Sequence, residues 1–217
     1  RLFMLSDSPP DRDLEWTEAG IDGAWRYINR LWRMVDEPAT QLPAPGSPLP
    51  ADLSDKALTA RRAVHKAVAA VGDDLEKFHF NKAVARIREM TNAFGDIDGK
   101  TAGEDWVLRE GLEAMVRLIG PMMPHLAEEL WAKLGYTTLL VDSPWPAADP
   151  ALVVEDTVTV GVQVNGKLRA TVPLPRDAAK DVAEAAALAD ANVQKAMEGK
   201  TAKKIIVVPN RIINVVV

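Results

Sequence analysis

From Ile21 to Leu134 apolar residues recur mostly every three or four positions, the spacing of helices that bury one face. The first run predicts a helix from Thr17, a suitable N-cap, to about Val35. Its buried stripe would be Ile21, Trp25, Ile28, Leu31, Trp32 and Val35, while Arg26, Arg30 and Arg33 fall together on another side. Ser54 is expected to cap a second helix, with Leu58, Val64, Val68 and Val71 inward and Arg61, Arg62 and Lys66 outward. A third places Phe80, Val84, Ile87, Met90 and Phe94 on one face, Lys82, Arg86 and Glu89 on the other, and Gly95 at its end. A fourth runs from about Gly103 to Ile119 around Trp106, Leu112, Met115 and Val116. Pro121 and Pro124 then break the path, and a short fifth helix with Leu126, Leu130, Trp131 and Leu134 stops at Gly135. The opening RLFML reads as the tail of an upstream element, and SDSPPDRD as a connector. EPATQLPAPGSPLP holds five prolines and reads as a surface loop. Five amphipathic helices with modest connections predict an antiparallel bundle.

Beyond the linker SPWPAADPAL the period falls from about 3.6 to about 2, the spacing of strands. Val158, Val160, Val162 and Val164 alternate with Thr159, Gly161 and Gln163, and Leu168, Ala170 and Val172 return. Asn165-Gly166 between them is a hairpin signal, because a type I′ turn needs positive φ at both central residues. Asp177 is expected to cap an Ala-rich helix to about Asp190, followed by a helical turn near Val193–Met197 and by strands over Ile205–Val208 and Ile212–Val217. The expected fold class is therefore α+β. An α-helical bundle over 1–147 precedes a small α/β domain over 148–217, with the boundary near Ala147 and no internal repeats.

Charge sharpens this division. Residues 1–150 hold 17 Lys and Arg against 24 Asp and Glu, whereas residues 151–217 hold 9 against 7. Between Lys195 and Arg211 stand five basic residues and one acid, Glu198. The net charge of −5 argues against wholesale coating of nucleic acid, but an acidic body with a basic tip suits a polyanion touched locally. Cysteine is absent, which excludes disulfides, thiol nucleophiles and thiolate zinc sites. It also fits a cytosolic protein. No segment is apolar for long enough to span a bilayer. The chain opens at Arg1 with no signal pattern, and is expected to be cut from a longer protein.

Catalytic chemistry is sparse. Asn165-Gly166-Lys167 has one glycine in a hairpin and is a weak phosphate loop. His65, His79 and His125 are scattered through helical segments and read as surface or capping residues. His125 and Glu129 stand one helical turn apart, a spacing that can hold zinc, but it reads better as a helix start with acids near the positive dipole end. Trp25 and Trp32 read as core. Trp16 is a hydrophobic staple or an RNA-stacking platform. Arg26, Arg30 and Arg33 are a solvated face or a phosphate track. Lys200, Lys203 and Lys204 either protect a sheet edge or meet a polyanion.

Several segments carry a family resemblance. RLFMLSDSPPDRDLEWTEAGIDGAWRYINRLW resembles the stretch after the lysine-rich signature loop of leucyl-tRNA synthetases. FNKAVARIREMTNAF and PMMPHLAEELWAKLG resemble the helical bundle shared by the class I synthetases for leucine, isoleucine, valine and methionine. The stretch from Asp156, DTVTVGVQVNGKLRATVPLP, and EGKTAKKIIVVPNRIINVVV are similar to the end of the bacterial leucyl enzymes. The isoleucyl enzymes commonly end in a cysteine zinc module and the valyl enzymes in a coiled coil. This chain has neither.

The resemblance implies an anticodon-binding type bundle followed by a C-terminal domain that reaches the tRNA elbow. It also implies a cytoplasmic parent enzyme, a leucine–tRNA ligase that uses ATP and Mg, with its active site and editing domain outside this chain. No cofactor is expected within the chain itself. The implied partners are leucine tRNA, gripped by body and elbow without reading of the anticodon, and the catalytic domain of the same polypeptide. No membrane or DNA is implied. Charge and position within these motifs make Asn165, Lys167, Arg169, Lys195, Lys200, Lys203, Lys204 and Arg211 the candidates for the elbow, with Lys167 and Arg169 expected to share a strand face. Arg30 and Arg33 are candidates for the inner side of the tRNA. A free-standing protein-interaction module, using the acidic bundle as its interface and no RNA, is the competing reading. One continuous positive surface would favour RNA, and scattered charge the interaction module. An independent hydrolase has no nucleophile–base pair to support it.

Overall fold

Thr17 and Ser54 act as the expected helix caps, Oγ accepting the amide N–H of Gly20 at 3.2 Å and of Ala57 at 3.1 Å. The helices they start, α2 (Glu18–Asp36) and α3 (Asp55–Glu76), belong with α4 (Phe80–Asn92), α5 (Glu104–Ile119) and α6 (Pro124–Lys133) to a helical bundle. The structure is a computed structural model that describes residues 1–154 and 157–217; Asp156, where the stretch that carries the family resemblance begins, lies outside them. The described residues divide into two compact units, Arg1–Val153 and Val154–Val217.

In the first unit Leu31, Val64, Val71, Ile87, Leu112, Met115, Leu118 and Leu130 are almost wholly buried, so the period read along the chain corresponds to one shared core. RLFML forms a short helix, α1 (Leu2–Ser6), whose Leu2 and Phe3 enter that core. Trp25 departs from expectation. It is 63% exposed, because Ala24, Tyr27, Leu31 and Val35 set the centre of the buried stripe and leave Trp25 on its flank. Trp16 is exposed too, and meets Phe3 edge-on with ring centroids 5.7 Å apart.

Residues 148–153, assigned from sequence to the second domain, belong to the first unit. A helical turn, α7 (Pro150–Val153), packs on α3 with Leu152 buried. His65 anchors its start. It is buried rather than on the surface, and Nδ1 accepts the Asp149 N–H at 2.9 Å while Nε2 faces Glu110 Oε1 at 3.3 Å. An Nδ1 that accepts places the proton of the neutral ring on Nε2.

The second unit is a four-stranded sheet in the order β2-β1-β4-β3, built from β1 (Thr157–Val164), β2 (Lys167–Pro175), β3 (Lys204–Val208) and β4 (Ile212–Val216). β1 and β2 form the expected hairpin, and Asn165 (φ 49°) and Gly166 (φ 80°) supply the positive angles. The chain then passes through α8 (Lys180–Ala189) and α9 (Ala191–Met197), so that β4 returns parallel to β1. Val160, Val162, Val164, Val172, Leu174, Ile213 and Val215 bury one sheet face with Ala183, Ala187 and Val193 of the helices. Asp177 does not cap α8. It sits at φ 57° and exchanges hydrogen bonds with Asn210, its N–H donating to Asn210 Oδ1 at 2.8 Å and its carboxylate accepting from Nδ2 at 2.6 Å. α8 begins at Lys180 without a side-chain cap, and Asp190 caps α9 instead.

Candidate nucleic-acid interface

The sheet register decides which basic residues meet. Antiparallel pairing sets Lys167 beside Val164, parallel pairing sets Val164 beside Val215, and antiparallel pairing again sets Val215 beside Ile205. One row thus runs from Lys167 across the sheet to the residue after Lys204. Lys204 pairs with Val216, and the Lys203 N–H donates to the Val216 carbonyl at 2.8 Å. The hairpin turn of Asn165 and Gly166 and the start of β3 therefore occupy the same end of the sheet, three strand spacings or ~14 Å apart.

Lys200 is close by in the chain, within ~10 Å of Lys203 by contour. Its N–H donates to Met197 O, and its ammonium stands 3.5 Å from the Glu198 carboxylate in an exposed pair worth little. Lys195 lies in the last turn of α9, where a cation also complements the helix dipole. Asn165, Lys167, Arg169, Lys195, Lys200, Lys203, Lys204 and Arg211 are all exposed.

Two expectations change. Arg211 follows β3, in the turn to β4 and at the opposite end of the sheet, ~17 Å of chain away from Val216. The pairing also shifts between Val162 and Gln163, whose partners are Ala170 and Leu168. Arg169 is thus the extra residue of a β-bulge, and a spacing of two no longer fixes a common face for Lys167 and Arg169. The same bulge turns Leu168 out, leaving it 61% exposed where simple alternation buried it.

In the first unit, Arg30 is already engaged. Nη1 donates to Asn92 Oδ1 at 2.7 Å and Nη2 to Thr91 O at 3.1 Å, so its guanidinium is held at the end of α4. Arg33 is exposed, with Nε donating to Asn29 O at 3.4 Å. Asn214 escaped the sequence reading. It is the one polar residue in IINVVV, and that interruption was the available signal. Its Oδ1 accepts the Gly166 N–H at 3.1 Å.

No group of three or more His, Cys, Asp or Glu side chains is gathered to hold a metal among the described residues. Glu128, beside the His125–Glu129 pair, uses its carboxylate to accept the Leu140 and Val141 N–H groups at 2.7 and 3.1 Å. No helix among the described residues is long and apolar enough to cross a membrane.

Residues 58–184 match the family model for the anticodon-binding domain of tRNA ligase. A leucine–tRNA ligase of Paramagnetospirillum magneticum is 65% identical over 217 residues, covering all of this chain and 25% of that protein. The leucine–tRNA ligase of Rhodospirillum centenum is 60% identical over 228 residues, covering all of this chain and 26% of its own length. The leucyl-tRNA synthetase in a ternary complex with tRNA and LeuAMS from Agrobacterium radiobacter K84 is 30% identical, with a TM-score of 0.77 over all of this chain and 28% of that one. The chain thus spans about a quarter of the length of these curated relatives.

Proposed function

The chain belongs to the anticodon-binding domain family of tRNA ligases, and we propose that it is the tRNA-gripping region of a leucyl-tRNA synthetase. The observation that carries the RNA role is the convergence of Asn165, Lys167, Lys203 and Lys204 on one end of a small sheet, with Lys200 adjacent. Structured RNA is recognised through its shape, phosphates and 2′-hydroxyls. Lysines are compact point charges suited to phosphates, and Asn165 offers a polar side chain among them. Arg169, Lys195 and Arg211 would widen the electrostatic footprint rather than form its centre. Arg33 and the anchored Arg30 would approach the inner side of the tRNA from the bundle.

In this reading the chain holds the tRNA elbow and body while leucylation, with ATP and Mg, takes place on domains outside it. The turn of Asn165-Gly166-Lys167 is a two-residue hairpin, which does not fit a phosphate-cradling nucleotide loop. A cytoplasmic setting and an intramolecular catalytic partner belong to the same proposal. A free-standing interaction module would leave the clustered cations at the hairpin end without a use.

Replacing Lys200, Lys203 and Lys204 together by Ala tests the assignment. Affinity for leucine tRNA should fall, and the slope of log K against log salt should flatten by ~2 to 3 units if each lysine meets one phosphate. In the full-length ligase adenylate formation should be spared and aminoacylation reduced. Unchanged affinity at low salt overturns the assignment.

A further inference from the structure

The end of β4 ties together the two basic segments that the sheet brings near each other. Asn214 pairs in register with Gln163 of β1 and Ile206 of β3, on the face opposite to buried Ile213 and Val215. Its Oδ1 accepts the Gly166 N–H at 3.1 Å. The Val215 carbonyl accepts the Asn165 N–H at 2.9 Å, and the Val217 N–H donates back to Asn165 Oδ1 at 3.2 Å. The Val216 carbonyl accepts the Lys203 N–H on the other side. Residues 214–217 thus hold the hairpin tip with three hydrogen bonds and the start of β3 with one.

This matters because the charged end of the hairpin lies beyond a break in its own ladder. β2 is an edge strand, and the bulge at Arg169 interrupts its ladder just behind the tip and adds twist. Pairing with β1 alone leaves Lys167, the first residue of β2, beyond that irregularity. The bonds from β4 fix the tip relative to Lys203 and Lys204. Several cations held at a set spacing bind a polyanion with less ordering cost than the same cations on a loose tip.

We propose that Asn214 is a positioning residue for polyanion binding: it holds the Asn165–Lys167 tip against β4 so that Lys167 acts together with Lys203 and Lys204. This rests on the reading of the same sheet end as a tRNA grip. Asn214 supplies placement, and Lys167 supplies the charge.

A double-mutant cycle in the full-length protein that carries this chain tests it, using leucine tRNA across a salt series and the single variants Asn214→Ala and Lys167→Ala with their combination. Thermal melts confirm that each variant folds. Asn214→Ala should weaken tRNA affinity by about three- to tenfold and lower the salt slope by just under one unit, as Lys167→Ala does. The combination should be no worse than Lys167→Ala alone. A general structural role predicts additive losses and would overturn the proposal, as would a silent Asn214→Ala beside a damaging Lys167→Ala. If Lys167→Ala is silent while the Lys203 and Lys204 variants lose affinity, the tRNA reading stands and the role of Asn214 falls. If all the lysine variants are silent, both fall.

Discussion

Glu104 is a heavily committed side chain of the first unit. It is wholly buried, accepts the Asp98 and Gly99 N–H groups at 3.1 and 2.7 Å and the Thr101 hydroxyl at 2.6 Å, and pairs with Lys56 at 3.1 Å. Burial alone pushes its carboxyl pKa up, but the donors from Thr101, Lys56 and the two amides outweigh burial and leave it below the ordinary glutamate value. A lowered folded-state pKa means that its stabilisation is complete above the unfolded-state value and is lost as pH falls through the folded one. Acid titration followed by far-UV circular dichroism should therefore show a Glu104→Gln variant losing less of its remaining stability on acidification than the parent. Glu104→Ala should cost about 2 kcal/mol at neutral pH in a denaturant melt, because it strands buried donors. None of this was legible in the sequence, where Glu104 reads as one more acid at a helix start. Arg30 gives the same lesson. Periodicity placed it on an outer face, but only the fold brings it to Asn92, 62 residues away in sequence.

Among the elements, the helices were the most legible, since long apolar stripes and capping hydroxyls are local signals and survived packing almost unchanged. Gly111 shows what such signals omit. It lies inside α5, where a Cβ would collide with the buried ring of Phe94 and press on Val64 at 3.2 Å. Close approach between helices sets this requirement, and no pattern within α5 announces it. Gly111→Ala gains helix propensity, yet overpacking at this contact should leave a net loss of about 1–2 kcal/mol, measurable by urea denaturation. The β-bulge is the strand counterpart. Strict alternation put Leu168 inward and Lys167 with Arg169, and a single extra residue opposite Val162–Gln163 undid both. The hairpin itself was legible because Asn-Gly encodes its turn directly.

For the molecule as a whole, the two units have separate hydrophobic cores, each closed by residues of its own segment. Residues 154–217 produced alone should then give a cooperative thermal transition in far-UV circular dichroism; a broad, featureless melt would show that this core does not stand by itself. The division was legible as a change of period and of charge balance, but its position was not. The turn of helix at Pro150–Val153 is too short to carry a pattern, and what assigns it to the bundle is His65, far away in sequence. The basic residues were legible as a composition, whereas their sorting to two ends of the sheet came from a parallel pairing of β1 with β4 that no local signal specifies.

The separation of the cores also divides the protein optically. Every tryptophan, tyrosine and phenylalanine stands at or before Trp145, inside the first unit. Ultraviolet-excited emission therefore reports on the bundle, and the sheet unit is dark. A titration with tRNA followed by native fluorescence watches the unit that lacks the lysine cluster. A single indole introduced at exposed Leu168 would give the sheet unit a voice of its own, audible over the bundle as a difference signal when a polyanion settles on the hairpin end.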